Sequence, residues 1–217
     1  MSTVFIVDDD REVRAALSRL FAAAGYPVQA FESAGRFLNE QDADVPGCLL
    51  LDVCLPGLSG MELQRALIGS PSARPIVFLT GMGDIQTSVN AMKAGAVDFL
   101  TKPIDVERLI GAVDQALQRD AEERLERAIR NTIEQRLKTL TPREREVMMH
   151  VIRGRLNKQI AAELNTGEKT VKVHRARVMS KLGVRSVAEL VQLTSRAGIA
   201  IEPIVPAPEP AARLERG

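Results

Sequence analysis

The first hundred residues contain polar side chains that stand directly after apolar runs. Residues 4–7 are apolar, and the carboxylates of Asp8, Asp9 and Asp10 follow at once. Asp10 suits the N-cap of a helix from about residue 11, because an N-cap carboxylate accepts backbone N–H groups. Asp8 and Asp9 then remain as adjacent like charges, which repel each other unless a cation lies between them. Later apolar runs end in a similar way, at Asp52, Thr80 and Lys102.

A parallel sheet would bring these side chains together. Strand-like runs alternate with helical stretches, the strands at 4–7, 27–31, 48–51, 75–79 and 96–100, the helices near 11–24, 33–40, 60–68, 84–94 and 105–117. This order predicts an α/β fold, a doubly wound, five-stranded parallel sheet of the flavodoxin-like kind, covered on both faces. Ligands of such sheets bind beyond the carboxyl ends of the strands, where three carboxylates, one hydroxyl and one ammonium would meet.

This combination of groups suits phosphoryl transfer. Clustered carboxylates bind Mg²⁺, which prefers one or two carboxylates together with water and phosphate oxygens. Asp52, at the centre of the cluster, can act as the nucleophile that forms an aspartyl phosphate. Lys102 and Thr80 can hold the equatorial oxygens, so that catalysis consists mainly of positioning and charge neutralisation. Each residue alone fits an ordinary loop or turn, but their coincidence at one sheet edge favours a site.

The motifs VDDD, LLDVCLPGLSG, FLTGMGD and DFLTKP resemble the receiver domain of two-component response regulators. The resemblance implies that Asp52 accepts phosphate from the phosphohistidine of a sensor histidine kinase. It also implies a Mg²⁺ ion bound by Asp9, Asp52 and the backbone carbonyl of Cys54, with Asp8 acting mainly through water.

The same resemblance implies a switch. Lys102 would bind the phosphoryl group, and the Lys102–Pro103 peptide would be cis. Thr80 would move toward the phosphate while Phe99 turns inward. These movements would remodel the face formed by the helix at 84–94, the strand at 96–100 and the helix at 105–117.

A phosphatase with an aspartate nucleophile is the rival interpretation from the enzyme class. Such enzymes carry a second acid two residues after the nucleophile, which protonates the leaving group. That position is Cys54 here, and a thiol performs this task poorly. The sequence therefore predicts a protein that is not an enzyme.

Charge divides the chain into an acidic and a basic part. Residues 1–120 hold 16 Asp and Glu against 10 Lys and Arg, whereas residues 138–200 hold 5 against 13. The net charges are therefore −6 and +8, and the basic part has the electrostatics of a nucleic-acid-binding domain. Between them, no Gly or Pro interrupts residues 112–140, which predicts a long amphipathic helix. Its narrow apolar seam, flanked by charges, favours a dimer-forming segment over a plain connector; the seam is Leu117, Ala121, Leu125, Ala128, Ile133 and Leu137.

Four short helices are predicted in the basic part. Capping boxes begin helices after Thr141 and Ser186, and the turn ELNTGE at 163–168 joins the second helix to the third, as in a helix-turn-helix. On the third helix, Val171, His174, Val178 and Leu182 form a core-facing stripe. The opposite stripe, suited to a major groove, is Lys169, Lys172, Val173, Ala176 and Ser180.

Residues 140–186 resemble the LuxR-type DNA-binding domain, and the pairing of this domain with a receiver resembles the FixJ/NarL class, closer to FixJ. His174 is interpreted as a packed or phosphate-contacting residue rather than a metal ligand. Thr166 and Gly167 depart from the usual turn, at a cost of a few tenths of a kcal/mol for a Gly cap. The predicted DNA contacts are Lys158, Lys169, Thr170, Lys172, Val173, His174, Arg175, Ala176, Arg177 and Lys181.

The expected domains are a receiver at 1–119, a helical linker at 120–137, a small all-α helix-turn-helix domain at 138–200 and a disordered, Pro-rich tail at 201–217. We expect a phosphorylation-activated transcriptional regulator whose partners are double-stranded DNA, a sensor histidine kinase, RNA polymerase and, when phosphorylated, a second copy. No apolar run suits a membrane span, and no secretory signal is present, which predicts a cytoplasmic protein. The alternative is an output controlled by protein contact, with DNA binding constitutive or vestigial.

Overall fold

The structure is a computed structural model and describes residues 2–70, 72–81 and 85–199. The chain divides into two compact units, one up to Leu125 and one from Glu126 onward. The predicted tail at 201–217 and Met82 lie outside the described residues. Among the described residues, no helix combines the length and the apolar character that crossing a membrane requires.

The first unit alternates strands with helices, as the apolar runs predict. Its elements are β1 (Thr3–Val7), α1 (Arg11–Ala23), β2 (Val28–Phe31), α2 (Ala34–Glu40), β3 (Gly47–Asp52), α3 (Gly60–Leu67), β4 (Ile76–Thr80), α4 (Ile85–Lys93), β5 (Asp98–Thr101) and the first part of α5 (Val106–Lys138). The strands form one parallel sheet in the order β2-β1-β3-β4-β5. The predicted doubly wound fold is confirmed.

Alternate residues of each strand enter two different cores, because successive side chains of a strand point to opposite faces. In β1, Phe5 and Val7 belong to one buried cluster, whereas Val4 and Ile6 belong to the other. All residues of β1, β3 and β4 are buried. Burial on both faces explains why these strands are continuous apolar runs and do not alternate with polar residues.

Helix α5 is continuous from Val106 to Lys138, as the absence of Gly and Pro predicts. The predicted apolar seam is not one exposed surface, however. Leu125 is 62% exposed, but Ile133 and Leu137 are only 6% and 7% exposed and belong to the core of the second unit. These two residues pack inside their own chain, so the expectation that they contribute to a dimer seam is wrong.

As far as residue 199, where the described part of the second unit ends, it contains four further helices, α6 (Pro142–Ile152), α7 (Asn157–Glu163), α8 (Glu168–Leu182) and α9 (Val187–Arg196). The Thr141–Glu144 capping box is present. The second predicted box is only half formed: Ser186 accepts the N–H of Glu189, but the Glu189 carboxylate accepts the N–H of Arg185 instead. The turn between α7 and α8 closes through Asn165, which has a positive φ of 52°.

Candidate functional site

Polar side chains from four strands meet at the carboxyl edge of the sheet. Asp8 follows β1, Asp52 ends β3, Thr80 ends β4 and Lys102 follows β5. The ends are aligned because Asp52 lies opposite Leu79 of β4, next to Thr80, and because the N–H of Lys102 donates to the carbonyl of Thr80 at 2.7 Å. The strand register therefore gathers the predicted groups in one place.

Lys102 bridges two buried carboxylates. Its Nζ donates to Asp8 Oδ2 and to Asp52 Oδ1, both at 2.8 Å. The side chains of Asp8 and Asp52 are only 1% and 7% exposed. Two such carboxylates would repel strongly without a cation, and the Lys102 ammonium between them offsets that repulsion.

The same contacts stabilise the protonated, positively charged form of Lys102. Burial by itself lowers the pKa of Lys102, but the hydrogen bonds and charges of Asp52 and Asp8 outweigh burial, and the pKa lies above its ordinary value. A raised lysine pKa stabilises the folded state at every pH below the unfolded value of 10.5, and this contribution is lost only as pH rises through the folded value. The ammonium is therefore fully present at neutral pH.

The other carboxylate oxygens accept backbone N–H groups. Asp8 Oδ1 accepts the N–H of Asp10 at 2.8 Å, and Asp52 Oδ2 accepts the N–H of Cys54 at 2.6 Å. The Asp10 side chain accepts the N–H groups of Glu12 and Val13, so its predicted role as the N-cap of α1 is confirmed. All four oxygens of the two buried carboxylates thus have a hydrogen-bond partner, and both groups are fixed in orientation.

The donor set fits a hard cation. Asp8 and Asp52 are both paired with Lys102, and Asp9 is exposed next to Asp8 in the chain. The cluster therefore has more carboxylates than the Lys102 ammonium alone can neutralise. Mg²⁺ needs only one or two carboxylates besides water and phosphate oxygens. Within residues 2–70, 72–81 and 85–199, no three His, Cys, Asp or Glu side chains are already arranged around a metal position. Because Lys102 already donates to Asp8 and Asp52, a bound ion would compete with Lys102 for their oxygens.

The predicted switch residues occupy the same region. Thr80 is fully buried. Phe99 is half-buried and packs against the β-sheet core, with its ring centroid 6.0 Å from that of Phe78. The Lys102–Pro103 peptide is cis, as predicted. The movement of Thr80 and Phe99 remains a prediction.

Two positions at this site were missed from the sequence. A Cβ on Gly60 would lie 2.3 Å from the carbonyl oxygen of Asp52, so only glycine lets α3 begin this close to the site. Ser59 and Glu62 form a capping box there, and the S-x-x-E spacing was the available signal. Arg14 Nη1 donates to the carbonyl of Asp8 at 2.8 Å; a lone arginine on α1 gave no signal for this contact.

The second candidate site is the exposed face of α8 with the start of α7. The core stripe is confirmed for Val171, Val178 and Leu182, which are at most 1% exposed. His174 is half-buried, and its Nδ1 is buried without a partner among the described residues. The predicted contacts that are exposed are Lys158, Lys169, Thr170, Lys172, Val173, Ala176, Arg177 and Lys181.

Two of the predicted DNA contacts form hydrogen bonds with other residues of the same chain. Arg175 is half-buried and its Nη1 donates to Asn157 Oδ1 at 3.1 Å. Lys181 Nζ donates to Glu144 Oε2 at 2.6 Å and to the carbonyl of Thr139 at 2.9 Å. The hydrogen bond from Lys181 is the largest cause that lowers the pKa of Glu144 to about 2, and the hydrogen bond that Glu144 accepts from the backbone of Thr141 is the second. Lys181 is therefore exposed but already bound within the chain.

Comparison with known proteins identifies the family of each of the two domains. A family described as "Response regulator receiver domain" matches residues 4–114, and one described as "Bacterial regulatory proteins, luxR family" matches residues 138–194. The response regulator protein TodT of Pseudomonas putida is 44% identical over 195 residues, which cover 90% of this chain and 86% of TodT.

Solved structures give the same result. The low-resolution structure of the response regulator StyR is 48% identical, with a TM-score of 0.80 over 90% of this chain and 98% of StyR. Full-length FixJ from B. japonicum is 39% identical, with a TM-score of 0.54 over 92% of this chain and 98% of FixJ. The resemblance inferred from the motifs is confirmed by these relatives.

Proposed function

This chain belongs to the response regulators that join a receiver domain to a LuxR-type DNA-binding domain, and we propose that phosphorylation of Asp52 controls its binding to promoters. The observation that carries the proposal is the buried Asp52 carboxylate, held at the sheet edge by Lys102 and by the Cys54 N–H. A carboxylate fixed in this way is presented to an incoming phosphoryl group with its counter-charge already in place.

The proposed reaction is transfer from a phosphohistidine of a sensor kinase. One oxygen of Asp52 bonds to phosphorus as the phosphorus–nitrogen bond to the kinase histidine breaks, and the histidine nitrogen retains the electron pair. Lys102 neutralises charge on the transferred group. Mg²⁺, held by Asp9, Asp52 and the carbonyl of Cys54, with Asp8 acting through water, would supply the remaining charge neutralisation when bound.

The proposed output is binding of double-stranded DNA by the exposed face of α8. Val173 is 44% exposed between lysines, which suits an apolar contact with a thymine methyl among phosphate contacts. Phosphorylation would move Thr80 and Phe99, favour a homodimer and so place two recognition helices on one promoter, where RNA polymerase would be engaged in the cytoplasm.

The phosphorylation step is tested by labelling the full chain with acetyl phosphate in the presence of Mg²⁺. Asp52→Asn should abolish labelling, because the amide is not a nucleophile. Asp44→Asn, the same change at an exposed loop acid, is the matched control and should label like the parent. Stoichiometric labelling of Asp52→Asn would show that another residue accepts the phosphate.

The control of output is tested by measuring oligomeric state and DNA affinity with and without acetyl phosphate. Both should change in the parent, and neither should change in Asp52→Asn. If DNA affinity is the same in both states, the alternative of constitutive DNA binding controlled by protein contact is supported instead.

A further inference from the structure

The C-terminal end of α8 needs donors from outside the helix. The last four carbonyls of an α-helix have no partner within it. Gly183, in the left-handed region at a φ of 69°, closes α8, and its N–H donates to the carbonyls of Met179 and Ser180. The carbonyl of Leu182 is not served by this cap.

Arg136, on the last turns of α5, supplies that donor. Its Nη1 lies 3.1 Å from the carbonyl oxygen of Leu182. A cation at this end of a helix is also favoured by the helix dipole. Beside it, Ile133 and Leu137 of α5 belong to the same buried cluster as Val178 and Leu182 of α8. This part of α5 is thus built into the second unit.

The end of α8 is also attached to the residues that follow α5. Lys181 reaches the Thr139 carbonyl and the Glu144 carboxylate, which is only 3% exposed. The contacts of Arg136 and Lys181 therefore both attach the C-terminal end of α8 to one stretch of nine residues, 136–144.

We propose that Arg136 is a positioning residue for DNA reading, which holds α8 at the angle at which its exposed face meets the bases. The inference rests on the proposed reading of DNA by α8. Leu182 is nine residues from Val173, about 14 Å along a helix axis, so Arg136 acts on the helix and not on the bases that Val173 meets. Base contacts tolerate misplacement of only about 0.5 Å, so a loose helix end should reduce discrimination between sequences.

The test uses the full chain and a duplex selected from a random pool with the parent protein, compared with a scrambled duplex. Arg136→Gln should lose about tenfold of the preference for the selected duplex, the effect of about 1.4 kcal/mol. Arg130→Gln, the same charge change at an exposed position of α5, should retain it within about twofold. Arg136→Lys, whose ammonium also donates to a carbonyl, should restore most of the preference.

A salt series separates positioning from direct contact. The slope of affinity against salt should be equal for the parent and Arg136→Gln; a decrease of about one unit would show a phosphate contact and overturn the proposal. Amide exchange at the end of α8 should accelerate in Arg136→Gln and not in Arg130→Gln. This measurement shows whether Arg136 holds the end of α8 even if the variant no longer binds DNA, and unchanged exchange would overturn the proposal. If the parent has no sequence preference, DNA reading itself fails; if Arg136→Gln matches a discriminating parent, only the role of Arg136 fails.

Discussion

At the Asp52 carboxylate, each oxygen already has a partner, Lys102 on Oδ1 and the Cys54 N–H on Oδ2. A phosphoryl group that bonds to one oxygen must replace one of these contacts. Lys102 can follow the negative charge to the phosphoryl oxygens, whereas the Cys54 N–H is fixed by the backbone. Single residues at this edge should therefore influence the lifetime of the phosphoryl group as well as its formation.

Cys54 is exposed beside Asp52, the proposed phosphorylation site, and its thiol is a weak hydrogen-bonding group that orients an attacking water poorly. We expect slow self-hydrolysis in the parent, with Cys54→Asn accelerating it about fivefold, the effect of one new hydrogen bond of about 1 kcal/mol. The measurement is the decay of radiolabelled phosphoprotein. Cys54→Ala is the control, and equal acceleration by alanine would show that removal of the thiol, not a new polar group, matters. Met82→Asn is expected to act similarly, at a position outside the described residues.

Val173 and Arg177 should differ in what their loss does to DNA binding. Both are exposed on α8, but only Arg177 carries charge. Val173→Ser should cost about 1–3 kcal/mol at the cognate site and almost nothing on a scrambled duplex, if it packs on a thymine methyl. Arg177→Gln should weaken binding to both duplexes alike and reduce the salt slope by about one unit, as should loss of Lys158. Equal losses on both duplexes for Val173→Ser would mean that this face does not read bases.

At the scale of elements, α5 is fastened to the first unit by a buried charge network. Asp120 is fully buried; it accepts the N–H of Gly47 at 2.9 Å and Nε of Arg124 at 2.9 Å. Arg124 and Arg74 both donate to the carbonyl of Val45. Burial foremost, and then the charge of Arg124, lower the pKa of Arg74 to about 10, which leaves it charged at neutral pH. The network lies at the amino edge of the sheet, opposite the proposed phosphorylation site.

Asp120→Asn should destabilise the first unit by about 3 kcal/mol, at the low end for breaking a buried ion pair because Arg124 is partly exposed. The measurement is urea unfolding followed by the fluorescence of Tyr26, the single tyrosine in a chain without tryptophan, which packs on Phe21 in the first unit. Glu40→Gln, in an exposed pair of the same i,i+4 spacing with Arg36, is the control and should change little. Equal effects of the two substitutions would show that burial of the Asp120 network adds no stability.

At the scale of the whole molecule, phosphorylation should make DNA affinity depend on the spacing between half-sites. Two recognition helices brought together by phosphorylated receivers should favour half-sites about 10 base pairs apart, or a multiple of that distance. The measurement is the affinity of phosphorylated protein for duplexes with half-sites offset in steps of a few base pairs. Asp52→Asn treated with acetyl phosphate should show no periodicity. A parent protein indifferent to spacing would argue against a dimer of fixed geometry.

The sequence by itself determined the α/β order, the edge of the sheet that carries the site and the residues Asp8, Asp52, Thr80 and Lys102. These follow from short-range patterns, since apolar runs define strands and parallel strands align their carboxyl ends. The continuation of α5 beyond residue 112 was also predictable, because residues 112–140 contain no Gly or Pro.

Only the tertiary structure decided which charges are engaged. Lys181 and Arg177 look alike in sequence and both are exposed, but Lys181 is held by an ion pair with Glu144 at 2.6 Å. Ile133 and Leu137 continue the periodicity of an exposed seam, yet they are buried in the core of the second unit. The contact of Arg136 with Leu182 spans 46 residues. Such pairings depend on how helices pack, which the local sequence does not encode, because helical periodicity defines a face but not the partner that covers it.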